Sequence, residues 1–211
     1  MSNVLATFSG KIGDILWSLP TVRELCRKHG APVDFAVMPQ YESLLGLLGA
    51  QEYIEHAFVI PDWACWGSPH GDQPWEAPVE KDHYEHVYHL TYRAHPGIGA
   101  AALPLVDFIA HQQNLVLSQP VVPFLKMDDV EMRYDGRPVV AYGFNEMYAE
   151  DKAKFLARVA ERLGESVNLI DVTKLPFSVA AAVIQQAVVY LGCRSACWVL
   201  AIGLEIGRAH V

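Results

Sequence analysis

Asn3-Val4-Leu5-Ala6-Thr7-Phe8-Ser9-Gly10-Lys11-Ile12-Gly13-Asp14 is the stretch on which the reading of the fold turns. Val4, Leu5 and Phe8 make a short, mostly apolar run that ends at Ser9-Gly10, as a buried strand does when it enters a tight turn. Downstream, Ile15, Leu16, Leu19, Val22, Leu25 and Cys26 recur at helical spacing. Lys28-His29-Gly30 closes that segment with a cationic last turn and a glycine stop. Pro20 is expected within the first two turns, where a missing N–H costs less than it does deeper in. Residues 33–38 then read as a second strand, 41–48 as a helix and 57–60 as a third strand. Strand–helix–strand–helix–strand with short connections predicts a parallel α/β sheet.

Residues 61–82 break this rhythm. They carry Trp63, Trp66 and Trp75 among Pro61, Pro69, Pro74 and Pro78, and read as a long irregular excursion. Its tryptophans suit either stacking on sugar rings or anchoring the loop. A strand at 84–92, a helix at 101–115 and a connector at 121–134 lead to a second unit. There the pattern predicts a strand at 138–143, an amphipathic helix at 151–163 stopped by Gly164, and a strand at 167–172. A helix at 178–186, a strand at 188–191, a turn at 192–195 and a last helix at 196–204 follow, with no further strand expected to pair with the sheet edge. The expected domains are therefore 1–134 and a partial second unit, 135–204.

The tail, residues 205–211, reads differently. Ile206-Gly207-Arg208-Ala209-His210-Val211 is what ATC GGA AGA GCA CAC GTC encodes. That string matches the opening of a widely used short-read sequencing adapter, in which the next codon is a stop. These residues are read as an adapter scar and left out of the fold reasoning, as a fusion tag would be. The natural chain is then expected to continue past Leu204.

The chain has 211 residues, 52% of them hydrophobic, with 16 Lys plus Arg against 24 Asp plus Glu and a net charge of −8. That hydrophobic content excludes wholesale disorder. No window reaches the ~18 uninterrupted apolar residues of a membrane span, and the N-terminus lacks a secretory signal. Acidity, with a pI near 5.5, argues against a nucleic-acid binder. Four scattered cysteines do not form a disulfide framework. A cytoplasmic protein with at most peripheral membrane contact is expected.

In an open α/β sheet, ligands gather at the carboxyl ends of strands, beside helix N-termini. Gly10 and Gly13 would let the backbone approach a ligand closely. Asp14 falls near the first turn of the helix, where a carboxylate either faces the site or merely complements the helix dipole. The turn lacks the third glycine of a dinucleotide fingerprint, and Lys11 is not placed as a P-loop lysine. His83, His86, His89 and His95 alternate between strand faces, which argues against a shared metal. Cys193 and Cys197, one helical turn apart, read as buried packing thiols.

The run Phe8-Ser9-Gly10-Lys11-Ile12-Gly13-Asp14-Ile15-Leu16-Trp17-Ser18-Leu19-Pro20 resembles the N-terminal signature of the family 9 glycosyltransferases, which include the lipopolysaccharide heptosyltransferases. Val33-Asp34-Phe35-Ala36-Val37 and Tyr84-Glu85-His86-Val87-Tyr88-His89-Leu90 are similar to two further strands of that family. Leu175-Pro176-Phe177 and Val188-Val189-Tyr190-Leu191-Gly192 are similar to the segment before its Asp-Ser-Gly motif. The resemblance implies a GT-B fold: two Rossmann-like domains, an acceptor-side one first and a donor-side one second, here incomplete. It implies inverting transfer of a heptose-like sugar from a nucleotide-diphospho-sugar to a glycan or lipid-linked acceptor, with Asp14 as general base. Ser9, Gly10, Lys11, Gly13, Arg194 and Ser195 would bind substrate or donor, with no metal and no cofactor beyond the donor. Lys152 or Lys154 would stand near the family's phosphate-binding lysine, although a solvated helix face explains both.

The family's Asp-Ser-Gly-x-x-His-Leu-Ala appears here as Arg194-Ser195-Ala196-Cys197-Trp198-Val199-Leu200-Ala201. Only the serine survives among the polar positions, and one strand–helix pair between Leu163 and Val167 is missing. Two alternatives therefore stand beside the enzyme. One is a catalytically degraded homologue that binds sugar or nucleotide without turnover, and the other is an unrelated Rossmann-like nucleotide-binding enzyme.

Overall fold

The structure is a computed structural model that describes residues 3–63, 76–79, 83–91, 104–118, 125–127, 132, 134–144, 149–193 and 195–206, together with the backbone of 208–210. It divides into two compact units, Met1–Met127 and Asp128–Val211. The expected boundary lay slightly further on, at 134/135.

In the first unit, β1 (Val4–Phe8) and β2 (Val33–Val37) are buried along their whole length. That is why both read as near-continuous apolar runs: a central parallel strand is covered on both faces. They are flanked by β3 (Ile54–Val59) and β4 (His86–Leu90), giving the parallel order β3-β2-β1-β4. Strand β3 begins earlier than its apolar residues suggested, because Glu55 and His56 are exposed at the sheet edge and mask the strand pattern. Helix α1 (Ile12–His29) packs on β1, β2 and β3, and its Ile15, Leu16, Leu19, Val22 and Leu25 are fully buried. It ends at Gly30, whose φ of 70° is left-handed and whose N–H donates to Cys26 O at 2.8 Å. The predicted cationic last turn and glycine stop are both present.

Two helical expectations are corrected. Because α1 starts at Ile12, Pro20 lies more than two turns inside the helix, where its ring deprives the Leu16 carbonyl of its usual N–H. The segment expected to be a helix at 41–48 is instead a 3₁₀ turn, Pro39–Leu44, followed by the short α2 (Leu45–Gly49). Tyr41, at φ −110° and ψ 16°, breaks the α geometry. Helix α3 (Leu105–Gln112) starts behind Pro104 and packs on α1.

In the second unit, the fully buried β5 (Val139–Gly143) is followed by α4 (Ala149–Leu163), which Gly164 stops at φ 52°. Then come β6 (Asn168–Asp171), α5 (Phe177–Gln186), β7 (Val189–Gly192) and α6 (Ala196–Gly203). The expectation that no strand follows α6 is overturned. Arg208–His210 forms β8, running parallel to β7 from Tyr190↔Arg208 to Gly192↔His210, so the sheet order is β6-β5-β7-β8. Strand pairing is made by main-chain N–H and C=O groups, which an open edge offers to whatever sequence reaches it. Among the described residues, no helix is long and apolar enough to cross a membrane.

Candidate functional site

Each sheet has a topological switch point. The chain winds outward from β1 through β2 to β3, then returns to place β4 on the other side of β1. It likewise places β6 on one side of β5 and β7 on the other. Crevices at the carboxyl ends of such strand pairs are where open α/β sheets hold ligands.

At the first switch point, β1 and β4 pair in register up to Phe8↔Leu90. Ser9 and Gly10 then turn the chain into α1, whose first turn holds Ile12, Gly13 and Asp14. Five sequence-predicted residues, Ser9, Gly10, Lys11, Gly13 and Asp14, thus share one strand–helix turn. Gly10 is required there for space. A Cβ at this position would lie 2.1 Å from Phe8 Cε1 and 2.8 Å from Asp14 Cβ. Phe8 is 1% exposed and cannot swing away, so only a glycine lets the strand end, the turn and the carboxylate come this close.

Asp14 is half-buried, and its Oδ2 accepts the Lys11 N–H at 3.2 Å. This is half of a capping box. The reciprocal half needs an acceptor on the N-cap side chain, and a lysine ammonium has none. Burial raises the Asp14 pKa above the ordinary carboxylate value, while the Lys11 N–H and the Lys11 charge pull it back down. The carboxylate is therefore a stronger base than an exposed aspartate, held by one backbone bond and leaving Oδ1 for other partners.

One feature of this switch point was not foreseen. His89 sits opposite Thr7 across the β1–β4 pair, with Thr7 Oγ1 3.0 Å from its Nδ1. The Ala77 N–H also donates to that nitrogen, at 3.4 Å. An amide N–H can only donate, so Nδ1 is the acceptor and the neutral ring carries its proton on Nε2. His86 lies on the other strand face, 4.7 Å from the His29 ring centroid, so the two histidines do face apart. His95 lies outside the described residues. Trp63 is 2% exposed and serves as an anchor for the start of the excursion; Trp66 and Trp75 lie outside the described residues.

At the second switch point, Gly143 and Gly192 end β5 and β7 as register partners. Ser195 is the N-cap of α6, and its backbone O accepts the Trp198 and Val199 N–H groups, both at 3.1 Å. Its hydroxyl makes no capping bond and stands 3.5 Å from Tyr190 Oη. Arg194 lies outside the described residues. Cys193 and Cys197 are half-buried rather than buried, because one follows the end of β7 and the other sits in the first turn of α6, where every described residue is only partly covered. Cys193 Sγ reaches Gly143 O at 3.7 Å, and burial together with Cys193 pushes the Cys197 thiol up to about 11.

Lys152 and Lys154 part company. Lys154 pairs with Glu150 on the solvated helix face, 2.6 Å away. Lys152 instead reaches across to Asp171 at the end of β6, at 2.5 Å, and lies over the Tyr142 ring. Asp171 Oδ1 also accepts the Thr173 N–H and hydroxyl. Burial alone would raise the Asp171 pKa, but these bonds outweigh it and hold the carboxyl below the usual range. Asp171-Val172-Thr173, an aspartate bonding the residue two ahead, was the available signal for this turn.

No protein-family model and no curated protein matches the sequence. Solved structures do match. The iron-containing dodecameric glycosyltransferase TibC of enterotoxigenic E. coli aligns with 98% of this chain at a TM-score of 0.63 and 14% identity. A TibC structure in complex with ADP-D-beta-D-heptose aligns with 99% at 0.66 and 14%. In both cases the chain spans 57% of the TibC chain's length. An ADP-heptose lipopolysaccharide heptosyltransferase II of E. coli aligns over the whole chain at 0.60 and 13% identity, with 84% of its own length covered. A family 9 glycosyl transferase of Veillonella parvula aligns at 0.58 and 10%, with 79% covered. At these identities the likeness is one of architecture, and the chain carries two α/β units with parallel sheets in a GT-B-like fold.

Proposed function

We propose that the protein is a glycosyltransferase that moves a heptose-like sugar from a nucleotide-diphospho-sugar to a glycan or lipopolysaccharide-type acceptor with inversion. The observation that carries this reading is Asp14. It is a half-buried carboxylate of raised pKa at the first switch point, in a fold shared with heptosyltransferases. In the proposed reaction, Asp14 takes the proton of an acceptor hydroxyl. The freed oxygen attacks the anomeric carbon from the face opposite the leaving group, the bond to the diphosphate breaks, and nucleoside diphosphate departs. Arg194 and the α6 N-terminus at Ser195 would offset the charge on that diphosphate, the first unit serving the acceptor and the second the donor.

The test is release of nucleoside diphosphate from a panel of nucleotide sugars, ADP-heptose included. It is run on the 211-residue chain. Asp14→Asn is isosteric and should lower the rate by about 10²–10⁴-fold, the usual contribution of a general base. Undiminished turnover by the Asn variant would rule Asp14 out as the base. A second reading, donor binding without turnover, is favoured by Val199, which is buried and apolar where the resembled motif carries a histidine. Nucleotide binding with no release from any donor would support it.

A further inference from the structure

Tyr190 is 1% exposed, yet the sheet makes room for its hydroxyl in an unusual way. Its side chain shares a strand face with Gly192 two residues on, and Gly143 is the register partner of Gly192. An ideal Cβ at Gly143 would sit 2.7 Å from Tyr190 Oη, and one at Gly192 would sit 2.9 Å from it. The phenol oxygen therefore occupies the space that a side chain at Gly143, the last residue of β5, would fill, while Gly192 is required first by the Gly143 carbonyl oxygen, 2.1 Å from an ideal Cβ. It lies beside the ends of β5 and β7, at the switch point and directly before α6.

A buried phenol needs a partner there. Among the described residues, its hydrogen-bonding contact is Ser195 Oγ at 3.5 Å, beyond the ~2.5–3.0 Å of a well-formed O–H···O bond. The Ser195 hydroxyl makes no capping bond either. The Ala196 N–H belongs to the first turn of α6, whose N–H groups have no partner within the helix. Two hydroxyls and a helix N-terminus thus converge on one point with donors to spare, and the complement of such a cluster is an anionic oxygen.

We infer that Tyr190 is a ligand-binding residue, whose hydroxyl, with Ser195 and the α6 N-terminus, donates to a phosphate oxygen of a nucleoside diphosphate group. The inference rests on the nucleotide-sugar reading proposed above and adds to it a contact that the resemblance does not supply. Burial raises the Tyr190 pKa, so the phenol keeps its proton and remains a donor throughout the neutral range.

Tyr190→Phe removes the donor while keeping the ring, and relieves a buried, poorly paired hydroxyl, so the variant should fold. The experiment is calorimetric titration of ADP, and of UDP, GDP and CDP, into wild type and Tyr190→Phe, with the matching nucleosides as controls. Loss of a hydrogen bond to a charged oxygen should weaken diphosphate binding about tenfold or more and leave nucleoside binding unchanged. Equal diphosphate affinity in wild type and variant overturns the role of Tyr190 while leaving the nucleotide reading intact. Equal weakening of nucleoside and diphosphate also overturns it, since that pattern marks a distorted fold. Absence of binding by wild-type protein to any of the four overturns both. Ser195→Ala, which removes the neighbouring hydroxyl without disturbing the sheet, should reproduce the phosphate-specific loss.

Discussion

Gly10→Ala tests whether the turn at the first switch point is set by close packing. The substitution has two opposing effects. Gly10 is not left-handed, so alanine is conformationally allowed and would by itself stabilise the fold by about 0.4–1 kcal/mol through the unfolded chain. Against this, the new methyl would meet the Phe8 ring at 2.1 Å and Asp14 Cβ at 2.8 Å, and forcing a methyl into a packed site costs about 1–3 kcal/mol. The clash wins, leaving a net loss of roughly 0.5–2 kcal/mol. Hydrogen exchange of peptides covering β1 and the start of α1 should therefore quicken about 2–30-fold if that region opens as one unit. Phe8→Leu trims the ring that the methyl strikes, so Gly10→Ala should cost less in that background, with a coupling of about 1 kcal/mol. Exchange unchanged by Gly10→Ala, or costs that simply add in the double variant, would refute the packing argument. Because Asp14 is one of the two clashing groups, the same variant should also lower the proposed transferase activity by more than its loss of stability accounts for.

Two further outcomes follow from the charged clusters. Asp34 accepts from His56 Nδ1 and Tyr84 Oη, each at 3.0 Å, and burial together with Asp34 pushes the Tyr84 phenol up to about 12. Asp34→Asn should lower that titration in the ultraviolet absorbance, and no downward movement would show that Asp34 is not a cause of the shift. The Asp171 pKa is depressed in the folded chain, so its contribution to stability is present above the unfolded value near 4 and is lost as pH falls through the folded one. The Lys152 pKa is raised chiefly by its bond to Asp171, so its contribution is full below the unfolded value near 10.4 and disappears as pH rises through the folded one. Lys152→Met should flatten both limbs of the stability–pH curve of the second unit, and a curve of unchanged shape would mean that the pair carries no linkage.

The central strands and the ends of the helices were legible because their signals are local. Buried runs such as β1 and β2, and the stops at Gly30 and Gly164, depend on a few neighbouring residues. The fate of 39–49 was less so, since the 3₁₀ turn is decided by the backbone at Tyr41 and not by apolar spacing. At the site, the turn holding Ser9 to Asp14 could be read directly because its parts are contiguous. The Thr7–His89 contact could not, because 82 positions separate its members and only the β1–β4 register joins them. His56 reaches Asp34 through a register irregularity opposite it in β3, which no periodicity records.

The clearance of Tyr190 by Gly143 and Gly192 also constrains how this site can evolve. Positions 143 and 190 behave as a single character split across 47 positions of chain. While tyrosine stands at 190, any side chain at 143 or 192 competes with the phenol for the same volume. A lineage that exchanges the tyrosine for a shorter residue frees Gly143 to drift, whereas Gly192 stays fixed by the Gly143 carbonyl 2.1 Å from an ideal Cβ. One that gains alanine at 143 first must pass through a crowded intermediate. Substitutions at these positions are thus ordered in time, with 190 changing before its glycine neighbour at 143.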